Sequence, residues 1–571
     1  MIEPAGGRNI ARRAPAAPDL VSPTPTVRGV LDSGSDATQK SRSDALRAAL
    51  ARPESYPDQP DRIDVRETHT SWVFLAGDRA YKLKKPVVLP FLDYGTPERR
   101  HQMCREEVEL NQRLAPDIYR RVLGVSDVNG GVTFIDEEDS RAVDYLVEMR
   151  RFDERSTLAS KLRTGELKRR DIISVAKELA HFHQQALHGH MTAVPASEVE
   201  RRLTTNFQEL LALVEQRAEL NQVLELERFA HAFVAAYGQL LNARGWNGLV
   251  REVHGDLRAE HVLLDGVPRF VDRIEFDQGL RELDVADDLA FLVMDLTANG
   301  GQRWARLLVD VYRKAGGDPG EDRLLAFYAS FRALVRAKVA LVRAAQSPVG
   351  SSRRGRDSAA ARDLLALAER FAWQARLPLI LVICGAPAAG KSRLARAIAR
   401  RSGLPHLNSD LTRRRLASRH LPEELGVGLY SPEFSRLTYA ELGRLAAKRT
   451  ATSGGAIVDA TFRHRADREA FIQATADAAP LLFVQCVAPV GVLRDRAVRR
   501  ERRASVSAAT LSVVEREGVV WEPLDEVAPT AHLLLRSDRP VIAQLDDLRA
   551  LLDHRLDLSA TGRSSRLQAV R

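Results

Sequence analysis

Cysteine is scarce, with three residues in 571 (Cys104, Cys384 and Cys486), far apart and without CxxC or any other ligand spacing. That pattern excludes a disulfide framework and a cysteine zinc site, and predicts free thiols in a reducing compartment. Long apolar runs are also missing. The longest, residues 377–384, is strand-sized, against the ~20 residues a membrane-spanning helix needs. The N-terminus has no apolar core of a secretory signal, so a cytoplasmic location is expected. Aromatics make up only 6% of the chain, and no nucleic-acid-binding motif or basic segment interleaved with aromatics is found. Among the cations lysine is rare: eleven of 85 Lys+Arg, three of them at Lys82, Lys84 and Lys85. Against an arginine-rich background, a lysine that persists points to a place where an ammonium does what a guanidinium cannot.

What is present is ordinary soluble-protein composition, 44% hydrophobic and 28% charged, with a net charge of +9. A basic balance suits nucleic acid and anionic small substrates equally. The length implies several domains. Residues 1–42, rich in Pro, Ala, Ser and Gly without apolar periodicity, read as a disordered tail, and residues 559–571 repeat that composition. The polar, basic stretch 347–357 marks a break. It divides the chain into a block at 43–346, a linker and connecting helix at 347–376, and a second block at 377–558. The first block runs strands, helix, strands, then a mostly helical half, an α+β order; residues 72–83 read as a hairpin turning at Ala76-Gly77-Asp78. The second alternates strand and helix, the pattern of an α/β domain with a doubly wound parallel sheet.

The most specific motif is Gly385-Ala386-Pro387-Ala388-Ala389-Gly390-Lys391-Ser392, a G-x-x-x-x-G-K-[ST] loop between an apolar strand and an amphipathic helix. Its backbone N–H groups are expected to cradle nucleotide phosphates, with Lys391 on the β- and γ-phosphates and Ser392 on Mg²⁺. Asp459, at the end of the strand AIVDA, is expected to hold the same metal through water. In Asn408-Ser409-Asp410-Leu411-Thr412-Arg413, Asp410 reads as a base for an acceptor hydroxyl and Arg413 as an anchor for an anionic group. A helix-capping role for Asp410 explains the residue as well. In the arginine-rich run 494–503, Arg496 together with Arg499 or Arg500 is favoured for neutralising a transferring phosphoryl group. This block resembles the P-loop kinases that include zeta-toxin-like, gluconate-kinase-like and polynucleotide-kinase-like enzymes, on GAPAAGKS, NSDLTRRRL, IVDATF and the arginine-rich lid.

In the first block, His254-Gly255-Asp256 is followed sixteen residues later by Asp272 at the end of a short strand. Asp256 can take a proton from an acceptor hydroxyl and Asp272 can hold Mg²⁺. Upstream, Lys82 in a strand and Glu107 in the next helix could position the α- and β-phosphates. Lys84 and Lys85 are expected to face solvent, and Asp288 to cap a helix. His181 and His183, on different faces of one helix, are expected to pack or lie at the surface. This block resembles the aminoglycoside phosphotransferase/choline kinase family, with HGDLRAEHVLLDG and FVDRIEF matching its catalytic and metal loops, AYKLKKP its nucleotide lysine strand and LVEMRRF its adenine hinge. The resemblance implies a two-lobed kinase-like fold, ATP and Mg²⁺, with Met149 at the adenine.

Two features depart from that family. His261 stands where an Asn metal ligand is usual, and residues 68–72 (THTSW) replace a glycine-rich loop. The whole arrangement is similar to bacterial proteins described as bifunctional aminoglycoside phosphotransferase/ATP-binding proteins. It implies an ATP-dependent phosphotransferase with two ATP sites, acting on a sugar-like or aminoglycoside-like hydroxyl. An active P-loop half acting on a small molecule or a polynucleotide 5′-hydroxyl, with a degenerate N-terminal sensor, is the alternative. Arg332, Arg336 and Arg343 fall on one helical face and suggest a neutral or anionic acceptor, unless local carboxylates pair with them.

Overall fold

The computed structural model describes residues 35–568 except 69, 90–91, 129–130, 190–193, 419–427 and 502–520. The N-terminal lobe is a six-stranded antiparallel sheet in the order Ile63–Glu67, Ser71–Ala76, Arg79–Lys84, Asp144–Arg150, Tyr119–Val128, Gly131–Ile135. The expected hairpin forms, with Gly77 at φ +56° in its turn. One helix, Pro97–Gln112, packs on this sheet. Its start combines a Thr96 side chain accepting from the Arg99 N–H with proline in the first turn, where no N–H is needed. The second lobe is helical. Its core takes in the helices Arg169–Gln185, Pro195–Leu213, Arg217–Trp246, Val285–Ala298, Gln302–Lys314 and Asp322–Gln346.

The break after Gln346 is short, because a new helix begins at Ser352 and runs to Ala375. Leu365, Ala368, Phe371, Ala372 and Ala375 of that helix are buried in the same core as the helical lobe. The expected connecting helix is therefore an integral wall of the first domain in its second half, and it begins at Ser352, inside the stretch 347–357 that reads as a linker. The expected tails shrink as well: a helix spans Ser35–Leu50, and the last helix continues from Val541 to Gln568. Residues 1–34 lie outside the described residues.

The second domain is a five-stranded parallel sheet in the order His406–Asn408, Gly455–Asp459, Leu379–Cys384, Leu481–Val487, His532–Arg536. Its central strand is buried throughout, the consequence of helices on both faces. The edge strand His406–Asn408 is too short to show as a periodic run in sequence.

The two domains meet at a buried charge cluster. Arg376 pairs with Asp553 (2.7 Å) and approaches Glu225 (3.5 Å), Arg549 pairs with Glu225 (3.1 Å) and Glu369, and Arg401 reaches Glu369 (3.0 Å). Trp373 lies between the two guanidiniums, its ring centroid 5.5 Å from Arg376 and 5.7 Å from Arg549. Glu225 belongs to the helical lobe, Arg401 to the helix that follows the P-loop, and Arg549 and Asp553 to the last helix. All three cysteines are free and buried. No helix among the described residues is long and apolar enough to cross a membrane.

Candidate active sites

In the first domain a cleft of about 1270 Å³ lies between the lobes. Strand alternation puts Lys82 and Lys84 on one face of Arg79–Lys84, above the helix that carries Glu107. Lys82 Nζ donates to Glu107 Oε1 (2.7 Å) and to Asp272 Oδ1 (2.9 Å), which joins three segments far apart in sequence. Lys84 does not face solvent. It is fully buried and donates to Glu107 Oε2 (2.7 Å) and Glu275 Oε1 (2.5 Å), and Tyr94 Oη donates to the same Glu275 oxygen (2.6 Å). Lys85 is turned back as well, donating to Glu67 (2.6 Å) and lying 5.1 Å from the centre of the Trp72 ring.

Burial alone would push both ammonium groups toward neutrality, but the carboxylates overcome it and hold Lys82 and Lys84 well above the usual lysine range. Lys82 in turn holds the Asp272 carboxyl far below its ordinary value. Asp272 has φ +62°, a left-handed conformation a non-glycine residue rarely adopts. Asn111 supports this turn by accepting from the Arg273 N–H (2.9 Å), and Tyr119 Oη accepts from the Asp272 N–H (3.0 Å). Glu275 and Tyr94 carry no motif in the sequence, and Lys84, expected at the surface, is instead part of the site. The signal for Lys84 was present in its two-residue spacing from Lys82.

Asp288 is not the helix cap expected: Asp284 caps the helix Val285–Ala298, accepting from the Ala286 N–H, and Asp288 lies inside its first turn. Its carboxylate accepts from the Gly255 N–H (2.8 Å), the His254 N–H (3.3 Å) and His183 Nε2 (3.1 Å), and so fixes the loop that presents Asp256. His183 is buried and bonded also to Tyr312 (2.7 Å), whereas His181 is exposed. Gly255 has φ +85°, and a Cβ there would lie 2.6 Å from the Leu280 carbonyl, so the loop admits only glycine.

Asp256 is clamped by Arg258, whose Nε (3.0 Å) and Nη2 (2.9 Å) both donate to Asp256 Oδ2. Burial raises the Asp256 carboxyl, but Arg258, His261 and Arg336 outweigh it and keep it below its usual value. His261 Nδ1 donates to the Asp256 carbonyl (2.9 Å), and its Nε2 accepts from Arg258 (2.9 Å), with Asp272 Oδ2 at 3.6 Å. The ring's free lone pair is therefore taken by a guanidinium, and an imidazole suits Mg²⁺ less well than an oxygen ligand does. The carboxylate of Asp272 fits a Mg²⁺ that completes its shell on phosphates; the expected second ligand at His261 does not. Met149 is buried with Ala80, Leu263 and Val271 in an apolar cluster, and Phe152 at its edge lines the cleft. Thr68 and Thr70 line the opposite wall, and Thr68 Oγ1 accepts from the Ser71 N–H (2.9 Å) in a tight turn.

In the second domain, Gly385 (φ +135°), Ala388 (φ +63°) and Gly390 (φ +92°) give the loop its wrapped shape. A Cβ on Gly385 would stand 2.4 Å from the Cys486 carbonyl. Lys391 Nζ donates to the Ala386 carbonyl (2.8 Å) across the loop mouth. Asp459 is buried, accepts from Asn408 Nδ2 (3.0 Å) and lies 3.5 Å from His406 Nε2. Burial raises its carboxyl, but His406, the Ser392 hydroxyl, Lys391 and Asn408 together hold it below the ordinary range. Ser392 and Asp459 thus offer an all-oxygen donor pair, which fits Mg²⁺. Among the described residues no group of three or more His, Cys, Asp or Glu side chains could hold a metal unaided, so at either site the ion would lean on nucleotide phosphates.

The capping alternative for Asp410 fails. The side chain of Asn408 caps the helix Ser409–Ala417, accepting from the Asp410 N–H (3.0 Å) and Leu411 N–H (3.2 Å). The Asp410 carboxylate is left facing Arg413, Asp459 and Lys391, with burial raising its pKa. Arg413 is buried and partly committed to the fold, donating to the Leu429 carbonyl (2.9 Å) and to Ser435 Oγ (3.3 Å). Arg496 donates to the Ser537 carbonyl (2.7 Å) and touches the Ala388 carbonyl (3.5 Å), at the rim of the phosphate loop. Arg499 is exposed, and Arg502 and Arg503 lie outside the described residues.

A family model described as an AAA domain matches residues 380–524. An uncharacterised protein of Mycobacterium tuberculosis, Rv2004c, is 34% identical over 460 residues, which cover 79% of this chain and 89% of the relative. A Mycobacterium bovis protein, Mb2027c, matches to the same extent. Among solved structures, a choline/ethanolamine kinase family protein from Mesorhizobium loti is 17% identical, covering 57% of this chain and 95% of its own (TM-score 0.35). A gluconokinase from Sinorhizobium meliloti is 22% identical, covering 33% and 99% (TM-score 0.26). By its architecture the chain is a two-lobed domain with a helical second lobe, followed by a P-loop domain on a parallel sheet. It belongs to the family of the mycobacterial proteins Rv2004c and Mb2027c.

Proposed function

We propose that the chain is an ATP-dependent phosphotransferase with two nucleotide sites, each moving a γ-phosphoryl group to a small-molecule hydroxyl. The observation that carries the reading is the Lys82 ammonium held between Glu107 and Asp272, a cation poised beside the carboxylate that would bear Mg²⁺. In the cleft, Lys82 binds the α- and β-phosphates, the apolar wall at Met149 and Phe152 takes the base, and Asp256 accepts the acceptor hydroxyl proton. In the P-loop domain the loop amides and Lys391 hold the phosphates, Asp410 serves as base and Arg496 faces the developing charge. Mg²⁺, held by Asp272 at one site and by Ser392 and Asp459 at the other, supplies charge neutralisation on the phosphates. ATP turnover measured over a panel of sugars, aminoglycosides and oligonucleotides, on wild type, Asp256→Ala and Lys391→Ala, tests this. Each substitution should abolish a different activity, and the reading fails if neither changes any.

A second reading, an N-terminal nucleotide sensor without turnover, is favoured by the Arg258 clamp on Asp256 and by the occupied lone pair of His261. It requires that Asp256→Ala leave all turnover intact while Lys82→Ala still weakens nucleotide binding.

A further inference from the structure

The carboxylates of the N-terminal cleft are already spoken for. Glu67 faces Lys85 (2.6 Å), Asp272 faces Lys82 (2.9 Å), Glu275 faces Lys84 (2.5 Å), Asp256 and Glu260 share Arg258, and Glu154 lies 3.8 Å from Arg66. A polycationic acceptor would find no carboxylate here without a protein cation to displace.

Two of the cleft's cations are in the opposite state. Arg343 and Arg353 line the cleft where the last helix of the helical lobe turns into the connecting helix. Neither side chain has an ion pair or hydrogen bond with any described residue, and Arg343 Nε is buried with no partner. Arg336, two turns before Arg343 on the same helix, is likewise without a partner among the described residues. Burial, together with the neighbouring Arg258 and Arg343 guanidiniums, pushes Arg336 down to about 10. Elsewhere on this lobe the buried cations are matched: Arg332 with Asp287 (2.6 Å), Arg202 with the same carboxylate (3.0 Å), Arg244 with Asp284 (2.7 Å). The sequence grouped Arg332 with Arg336 and Arg343, and the structure removes Arg332 from that set. Asp256 and Asp295 act on Arg336 only from a distance, without an ion pair or hydrogen bond to it, and Arg353 is exposed, so the repulsion among these guanidiniums is incompletely offset and would be relieved by an anion that joins them.

We infer that the acceptor of this cleft is a phosphate-bearing hydroxyl compound, its phosphate received by Arg336, Arg343 and Arg353. This rests on the cleft being a phosphotransferase site. Guanidinium forks match phosphate oxygens in pairs, and three of them would hold the ester end while the free hydroxyl reaches Asp256.

The test uses the full chain carrying Lys391→Ala, so that anion binding at the P-loop is weakened and the arginine substitutions report on the cleft. Glucose 6-phosphate, inorganic phosphate, glucose and kanamycin are titrated calorimetrically in the presence of a non-hydrolysable ATP analogue. Glucose 6-phosphate or inorganic phosphate should bind where glucose does not, and binding should weaken as salt rises. Adding Arg336→Ala and Arg343→Ala should cost roughly ten- to a hundredfold in anion affinity, the size of lost charge-assisted hydrogen bonds, and leave analogue affinity unchanged. The paired Lys substitutions, which keep the charge and lose the fork, should fall between and carry the test if the Ala pair does not fold. Preference for kanamycin, no binding of either anion, an anion affinity indifferent to the substitutions, or a parallel loss of analogue binding would each overturn the inference. Failure of the underlying reading has its own signature: Lys82→Ala would leave analogue binding intact in the same background.

Discussion

The two regions proposed to handle phosphate in this chain are built by opposite means. The P-loop builds its cradle from the backbone of eight consecutive residues, with glycine at the two places where a side chain would strike a neighbour or strain the turn. The cleft builds its site from side chains drawn from residue 82 to residue 275, each acid matched to a cation: Lys82 with Glu107 and Asp272, Lys84 with Glu107 and Glu275. The cradle's backbone N–H groups carry no formal charge, and its one charged group, Lys391, donates to the Ala386 carbonyl (2.8 Å) within reach of the Asp459 and Asp410 carboxylates. In the cleft, a nucleotide bound as proposed would compete with Asp272 for Lys82. The first design is fixed locally and depends little on the rest of the fold, and the second exists only when both lobes are in place.

The sharpest way to break this comparison is to remove the two lysines in turn. Lys391→Ala and Lys82→Ala should each lower the turnover of their own site by roughly a hundred- to a thousandfold, the loss seen when one preorganised donor to a charged transition state is deleted. They should differ in stability. Lys391→Ala takes one cation from the neighbourhood of Asp459 and Asp410 but leaves Asp459 its Asn408 and His406 neighbours, and should lower the melting temperature less than Lys82→Ala does. Lys82→Ala leaves Glu107 and Asp272 with one cation fewer and should lower the melting temperature of the first domain in calorimetry. Equal stability of the two variants would erase the distinction between the designs.

That distinction also explains what could be read from sequence. The P-loop, its flanking strand and helix, and the Ser392–Asp459 pair were legible because their chemistry is contiguous or sits at strand ends. The Lys82, Glu107, Asp256 and Asp272 set was legible only as an order of residue types matching a family. Its supporting shell was not: Lys84 looked like a surface lysine, Glu275 had no motif, and Asp288 looked like a cap although it holds the His254–Gly255 backbone. These roles depend on which elements meet across a lobe interface, and that is not written in any short window. The same holds for the helix Ser352–Ala375, whose Arg- and Ser-rich start reads as linker while its second half fills the core.

The domain interface extends the side-chain strategy to the joint between the two sites. Glu225, Glu369 and Arg549 are all buried, and removing the cation while keeping its bulk leaves Glu225 to Arg376 (3.5 Å) and Glu369 to Arg401 (3.0 Å). Arg549→Met should destabilise the protein by about 1–3 kcal/mol, measured as a lowered denaturant midpoint. A cluster that merely decorates the interface would show no such loss.

Acid sensitivity should separate the domains further. His254 Nε2 donates to the Val271 carbonyl (2.9 Å), and Nδ1 is buried without a partner, so a second proton has nowhere to go. Burial lowers its pKa to about 4 from an ordinary 6.5. The unfolded chain therefore takes up this proton first, and the stabilisation is fully present above pH 6.5 and lost as pH falls from there toward 4. The span amounts to roughly 3 kcal/mol. Denaturant midpoints of the first domain should fall across that window more steeply than those of the P-loop domain, and His254→Gln should flatten the difference.

The smallest effect sharpens the comparison at the metal. The P-loop offers oxygen donors alone, Ser392 and Asp459, whereas the cleft sets an imidazole beside Asp272, its Nε2 3.6 Å from Oδ2 and already accepting from Arg258. If that imidazole is what separates the two sites in their use of a hard cation, then His261→Asn, which puts a carboxamide oxygen in its place, should lower the Mg²⁺ concentration needed for half-maximal turnover at the cleft only severalfold, since a single oxygen donor is added to a shell made mostly of phosphates and water. The magnesium requirement of the P-loop site should not move. An unchanged requirement at the cleft would mean that Asp272 and the nucleotide suffice there, and that His261 serves Arg258 and the Asp256 loop rather than the metal.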